Sequence, residues 1–294
     1  MLNPRVSFVL MASIAAISTA AILVRLVPDM HPIGIAFWRT AIAAAFLSPA
    51  LFSTKERRPS RLHLLWTIGA GLCLALHFWA WFASLQLTTV MRSTVLVCLT
   101  PVWAGLWSWG LFKKPPSTKF WAGISLALVG VAWMGFSGDA GTNGANLKGD
   151  LLAVAGGVLS GTYLTIGQAI RPHVDWGQYG ALLCASCAAW LLGFALLSGA
   201  PLDVIGPHGW WVLVAMALGP QLVGHIGFTW AIRYVPATIV GAVILLEPVG
   251  ATALGAAVLD EWPSMSETAG ALIIVLGVAA ATVKHRHSAG NGEQ

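Results

Sequence analysis

Charge is what this 294-residue sequence has least of: Asp, Glu, Lys and Arg together make up 9% of it. An ordinary soluble domain carries about 25%. Eleven acidic and sixteen cationic side chains cannot cover a water-facing surface of this size. A soluble enzyme, a disordered chain and a nucleic-acid-binding domain are therefore excluded as default readings. Long connections are missing too. The most extended polar stretches are 53–62, 138–148 and the tail after Val283, none long enough for a soluble domain. No Gly-x-x-x-x-Gly-Lys-Ser/Thr loop occurs, so energy from bound ATP is not expected. Cysteine is scarce: Cys73, Cys98, Cys184 and Cys187 all lie inside apolar runs. Cys184-Ala-Ser-Cys187 has redox or metal-ligand spacing but no second ligand pair, so it reads as soft core packing. No metal and no cofactor are expected.

What the chain does have is apolar length, with 57% hydrophobic residues and a mean hydropathy of +0.78. The apolar runs are 6–27, 32–52, 63–85, 88–112, 119–137, 149–170, 177–198, 209–232, 236–259 and 266–283. None alternates with the period of two that a β-barrel requires, and a bilayer crossing takes roughly 20 apolar residues. The expected fold is an all-α integral membrane protein with ten transmembrane helices. The first run lacks a small-residue cleavage site and is read as a retained helix.

The few charges fix an orientation. With the N-terminus in the cytoplasm, twelve of the sixteen cations fall inside: Arg5, Lys55, Arg57, Arg58, Arg61, Lys113, Lys114, Lys119, Arg171, Arg233, Lys284 and Arg286. Only Lys148 falls outside, while Arg25, Arg39 and Arg92 lie within or at the ends of spans. Asp29, Asp139, Asp150, Asp203, Asp260, Glu261 and Glu267 lean outward. This positive-inside asymmetry predicts two cytoplasmic termini, with Ser60 inside and Asn146 outside. The net charge of +5 is thus a record of topology and not the mark of a nucleic-acid partner.

The sequence also repeats itself. Residues 99–132 slide onto 246–279 without a gap, and eleven of the thirty-four positions are identical. They include Pro101 on Pro248, Pro116-Ser117 on Pro263-Ser264, Ala122-Gly123 on Ala269-Gly270 and Gly130-Val131-Ala132 on Gly277-Val278-Ala279. Shared composition alone does not align prolines and glycines in one register. Two five-helix halves are expected, 1–137 and 138–294. An odd number of helices per half inverts the second in the membrane. The switch from Lys113-Lys114 to the matching Asp260-Glu261 agrees, because equivalent positions then face opposite sides. Inverted repeats recur in secondary transporters, where substrate sits near the midplane between halves.

These residues resemble the repeat signature of EamA-type members of the drug/metabolite transporter superfamily. The resemblance rests on Pro101-Val102, on Glu247-Pro248-Val249 through Asp260-Glu261, and on Ala269-Gly270 with Gly277-Val278, and it covers essentially the whole chain. It implies metabolite export by alternating access through a central cavity, lined by spans 1, 3, 4, 6, 8 and 9, in a bacterial inner membrane. Length and aromatic content are similar to the family's aromatic amino acid exporters, so amino acids are the expected substrates and a monomer the expected unit. Lys113-Lys114 departs from the family pattern, which often carries an acid there.

Polar residues within spans mark the expected cavity, since a charge there costs at least ~2.5–3.5 kcal/mol on insertion scales. His77 and His225 are repeat-equivalent when Gly71–Ala83 is laid on Gly219–Ala231. Imidazoles both donate and accept hydrogen bonds, which suits a carboxylate or an amine. Helical spacing places His77 with Trp81 and Ser84, Ser160 with Tyr163 and Gly167, and Gln221 with His225 and Thr229. Glu247 is the one acid deep in a span and is a candidate for a coupling proton or a substrate amine. Pro101 and Pro248 are candidate hinges. Trp38 is a candidate stacking surface. Arg39 matches an arginine common in the family's first halves and is expected either to attract an anion or to snorkel outward. A competing class is an intramembrane hydrolase built on Ser160 and His225.

Overall fold

The computed structural model describes residues 3–52, 59–88, 90–113, 115–137, 147–259 and 262–282. Lys55, Arg57, Arg58, Lys114, Asp139, Asn146, Asp260, Glu261, Lys284 and Arg286, all used in the topology reading, lie outside the described residues, as do the side chains of Arg25 and Arg92. The described elements are all helical. In chain order they are α1 (Pro4–Ser18), α2 (Ala20–Arg25), α3 (Pro32–Leu47), α4 (Arg61–Leu87), α5 (Val90–Val97), α6 (Thr100–Phe112) and α7 (Thr118–Ser137). There follow α8 (Leu147–Ile170), α9 (Trp176–Ser198), α10 (Gly206–Met216), a π-helix (Ala217–Ile226), α11 (Gly227–Ala231), α12 (Ala237–Ile244), α13 (Glu247–Leu259) and α14 (Met265–Thr282). Among the described residues, eight segments are long and apolar enough to cross a bilayer; α7 is apolar over a shorter stretch, Thr118–Trp133. The α5–α6 region, expected as one span over 88–112, is divided in two.

Helix starts follow the local sequence. Ser60 Oγ accepts from His63 N at 3.2 Å, and Asp175 Oδ2 accepts from Gly177 N at 2.8 Å. At the head of α14, Ser264 and Glu267 satisfy each other's backbone N–H groups, a reciprocal cap. Gly199 ends α9 with φ 68°, a left-handed conformation that glycine adopts without steric cost.

Most buried apolar side chains form one core across α1, α3, α4 and α8–α12, while α7 and α14 build a satellite core around Ile124, Ala127, Ile274 and Val278. The satellite depends on glycine. A Cβ on Gly123 would strike the Ala281 backbone and the Gly277 carbonyl, and one on Gly130 would meet the Gly270 carbonyl at 2.8 Å. The early part of α7 thus lies against the late part of α14, and the two run antiparallel. Gly123 and Gly270 occupy equivalent positions in the repeat, as do Gly130 and Gly277. Small residues let backbones approach closely where lipid offers no hydrophobic drive.

Candidate substrate cavity

The centre of the molecule is shaped by helix interruptions that obey the repeat. α5 stops at Val97 and α6 starts at Thr100; α12 stops at Ile244 and α13 starts at Glu247. Each boundary is displaced by the same 147 residues that align the two halves. The last turns are tightened by i→i−3 bonds, Leu99 N to Leu96 O at 3.3 Å and Leu246 N to Val243 O at 3.0 Å. Pro101 and Pro248 come second in the new half-helices, where a missing N–H has no partner to lose. The prolines open new helices, and the breaks lie just before them. A third interruption separates α1 from α2 at Thr19, whose hydroxyl bonds back to Ala16 O at 2.7 Å.

Around these interruptions lies a cavity. Ile17 and Ala20 border it from α1–α2, His77 and Trp81 from α4, and Val97, Cys98 and Thr100 from the α5–α6 break. Ser160 on α8, His225 and Phe228 beside the π-helix, and Ile244 and Glu247 at the α12–α13 break complete it. Its volume is about 450 Å³ with its mouth, but only about 30 Å³ admits the centre of a water molecule. That space is too narrow for a metabolite, which enters only if helices part.

The two histidines stand 6.1 Å apart, centroid to centroid. His77 donates from Nδ1 to the Gly156 carbonyl at 2.8 Å, which leaves Nε2 as the acceptor of the neutral ring. His225 Nδ1 pairs with the Tyr163 hydroxyl at 3.0 Å. Trp81 lies parallel to His77 at 6.3 Å, with its buried indole N–H unpartnered. Glu247 occupies the first turn of α13, where the helix dipole favours a carboxylate, and its carbonyl accepts from Ser18 Oγ at 3.3 Å.

Other expected cavity residues go elsewhere. Ser84 points away from the cavity and bonds Ser93 at 2.5 Å and Trp81 O at 2.7 Å, tying α4 to α5. Trp38 donates to Leu202 O at 2.8 Å and meets Trp210 edge-on at 4.8 Å, locking α3 to the α9–α10 connection. The Gln221–His225–Thr229 stripe assumed α-helical spacing, but Pro220 sits in a π-helix whose wider turns alter the angular spacing. Gln221 reaches Cys184 Sγ on α9 at 3.6 Å, while Thr229 bonds Ile226 O at 2.8 Å. Cys184 and Cys187 are fully buried and unbridged. Arg39 does not snorkel. It is 0% exposed, and its guanidinium lies 4.3 Å above the Phe78 ring. Phe78, missed in the sequence, also meets His225 edge-on at 5.0 Å; its adjacency to His77 was the available signal.

Two copies of the model of the EamA-like transporter family match the chain, over residues 4–136 and 147–283. The chain belongs to that family. Full-length relatives include an uncharacterised transporter of Archaeoglobus fulgidus, 25% identical over 262 residues, covering 87% of this chain and 89% of its own. The uncharacterised transporter YwfM of Bacillus subtilis is 24% identical over 282 residues, 92% of this chain and 91% of its own. A probable 4-amino-4-deoxy-L-arabinose-phosphoundecaprenol flippase subunit, ArnE of Klebsiella pneumoniae, is 32% identical over 108 residues, 34% of this chain but 96% of its own. A protein crystal structure superposes with a TM-score of 0.77 at 21% identity, over 95% of this chain and 97% of that one, a likeness of fold alone. The family and its relatives are transporters. This chain is accordingly a multi-pass membrane protein with a lipid bilayer around it and a small-molecule substrate. Among the described residues, His225 Nδ1 pairs with Tyr163, and Ser160 forms no hydrogen bond with His77 or His225.

Two arginines, Arg171 and Arg233, lie near each other at one end of α8. Arg171 donates to the Thr229 and Val174 carbonyls, and His63 stacks on His173 at 5.0 Å. Burial, followed by the nearby Arg233 charge, holds the Arg171 guanidinium below its ordinary pKa. Asp150 lies at the opposite end of α8, where it accepts from Thr88 at 3.0 Å.

Proposed function

We propose that this protein is a secondary transporter that exports small metabolites, foremost amino acids including aromatic ones, by alternating access between two inverted five-helix repeats, 1–137 and 138–294. The observation that carries this reading is the cavity where the repeat-related breaks at 98–99 and 245–246 meet, with one histidine from each half. His77, Trp81, Ser160, His225 and Glu247 are its substrate contacts. Tyr163 orients His225, and Arg39 supplies positive charge behind Phe78. Ser84, Trp38 and Gln221 support the walls by holding neighbouring segments together. The interrupted segments ahead of Pro101 and Pro248 act as hinges, since they carry the least regular hydrogen bonding beside the cavity.

The antiparallel glycine pairing of α7 with α14 supports inversion, because equivalent helices of inverted repeats must run in opposite directions. Counting the interrupted segments as single crossings gives ten helices. The clustering of Arg171, His173 and His63 with Arg233 supports placing that end, and both termini, in the cytoplasm of a bacterial inner membrane. A monomer contains the whole cavity. The match to a flippase subunit one third as long supports a unit that was duplicated here.

The test is flux in proteoliposomes across a panel of labelled metabolites. Saturable exchange of phenylalanine, threonine or another amino acid above empty vesicles is the expected result. Flux of other metabolites or drugs alone would move the substrate class, and no flux across the panel would overturn the transporter reading.

A further inference from the structure

Arg39 is the most anomalous side chain in the molecule. It is completely buried, and none of its three guanidinium nitrogens has a hydrogen-bond partner. A guanidinium carries five N–H donors, and an unpaired charge removed from water is among the costliest things a fold can bury. The Arg39 guanidinium lies over an aromatic face, Phe78 at 4.3 Å with Phe82 farther off at 6.0 Å. Glu247 does not pair with it, although Arg39 acts electrostatically on Glu247, Tyr163, His77 and His225 alike. Phe78 therefore bridges two environments, with the arginine on its face and the cavity histidine His225 against it at 5.0 Å.

We infer that Arg39 is a covered anion-recognition site whose cover is Phe78 and whose ligand is the carboxylate of the transported molecule. This rests on the transport reading and adds the substrate's charge to it. In the described state Phe78 covers the guanidinium, with the ring centroid 4.3 Å from it. A carboxylate entering beside His225 displaces the Phe78 ring and takes two of the fork's donors, a geometry that suits guanidinium better than ammonium. The remainder of the molecule then lies against Trp81, whose free indole N–H offers one further donor. Pairing replaces a cation–π contact with a charge-assisted bidentate one, so the site binds substrate best in a state that the empty protein avoids. A structural role for Arg39 requires fixed acceptors around it, and there are none among the described residues.

The experiment compares amino acids with their carboxamides, phenylalanine with phenylalaninamide and threonine with threoninamide, in proteoliposomes of the wild type, Arg39→Met, Arg39→Lys and Phe78→Ala. The wild type should carry the acids at least tenfold faster than the amides. Arg39→Met should lose that preference by losing acid flux, Arg39→Lys should recover part of it, and Phe78→Ala should lower KM for the acids. The melting temperature of Arg39→Met should hold or rise, because an apolar side chain removes an unpaired buried charge. Equal flux of acids and amides in the wild type, or an unchanged preference in Arg39→Met, overturns the inference and leaves the transport reading intact. A fall in melting temperature with acid and amide flux lost together assigns Arg39 to folding and also overturns it. No flux of any compound in the wild type removes the transport reading and this inference with it.

Discussion

At the scale of single residues, the sequence signalled which side chains were out of place in lipid but not which way they faced. His77 and His225 were legible because they are polar, deep and repeat-equivalent, and the structure places their rings 6.1 Å apart. Ser84 and Trp38 were equally conspicuous, yet each finds an ordinary partner, Ser93 and the Leu202 carbonyl. Periodicity gives a side chain's face, whereas its partner depends on the neighbouring helix, which one sequence does not supply. The distinction can be measured. His225→Ala should reduce flux severalfold with little loss of folded protein, as judged by size-exclusion yield; unchanged flux would assign that histidine to packing. Tyr163→Phe removes one interhelical hydrogen bond and should cost only ~0.6 kcal/mol in thermal stability. A cost of several kcal/mol would show the tyrosine hydroxyl doing more than orienting His225.

At the scale of elements, helix existence was readable from apolar length, whereas the runs 88–112 and 236–259, read as single spans with Pro101 and Pro248 as hinges, are each divided in two. The π-helix was not readable. Gly219-Pro220-Gln221 reads as a proline kink, and only the packing around it decides whether the backbone widens into i→i+5 turns. Within the π-helix Gln221 pairs with Cys184 of α9, while His225 borders the cavity. The glycine pattern of α7 and α14 was visible as repeat identity, but its purpose appears only in the pair. Gly277→Leu places a side chain into the Gly123 and Ala127 backbones and should destabilise the protein by about 1–3 kcal/mol or more. Gly193→Ala, where an added Cβ meets nothing within 4 Å, should be silent or mildly stabilising in the same melt. Equal effects would mean that the α7–α14 contact does not depend on small residues.

At the scale of the whole molecule, the duplication was legible as identities in one register, and the two family matches over 4–136 and 147–283 repeat it. The closed cavity was not legible, because periodic stripes describe what lines a space and not its width. The orientation has a direct check. In a cysteine-free background, Ser60→Cys should react with an impermeant maleimide only from the cytoplasmic side, and Asp203→Cys only from the opposite side. The reverse pattern would invert the topology.

The matching breaks at 98–99 and 245–246 carry an energetic consequence. If two identical halves were related by inversion, opening toward either side would be one event seen from opposite directions, and both states would have equal free energy. Any resting bias must then reside in positions where the halves differ. At the cavity the sharpest difference heads the two second half-helices, Thr100 in one and Glu247 in the other. On the proposed alternating-access mechanism, a carboxyl group present in one half and absent from the other makes inward and outward unequal, and Glu247→Thr should bring the two populations closer together.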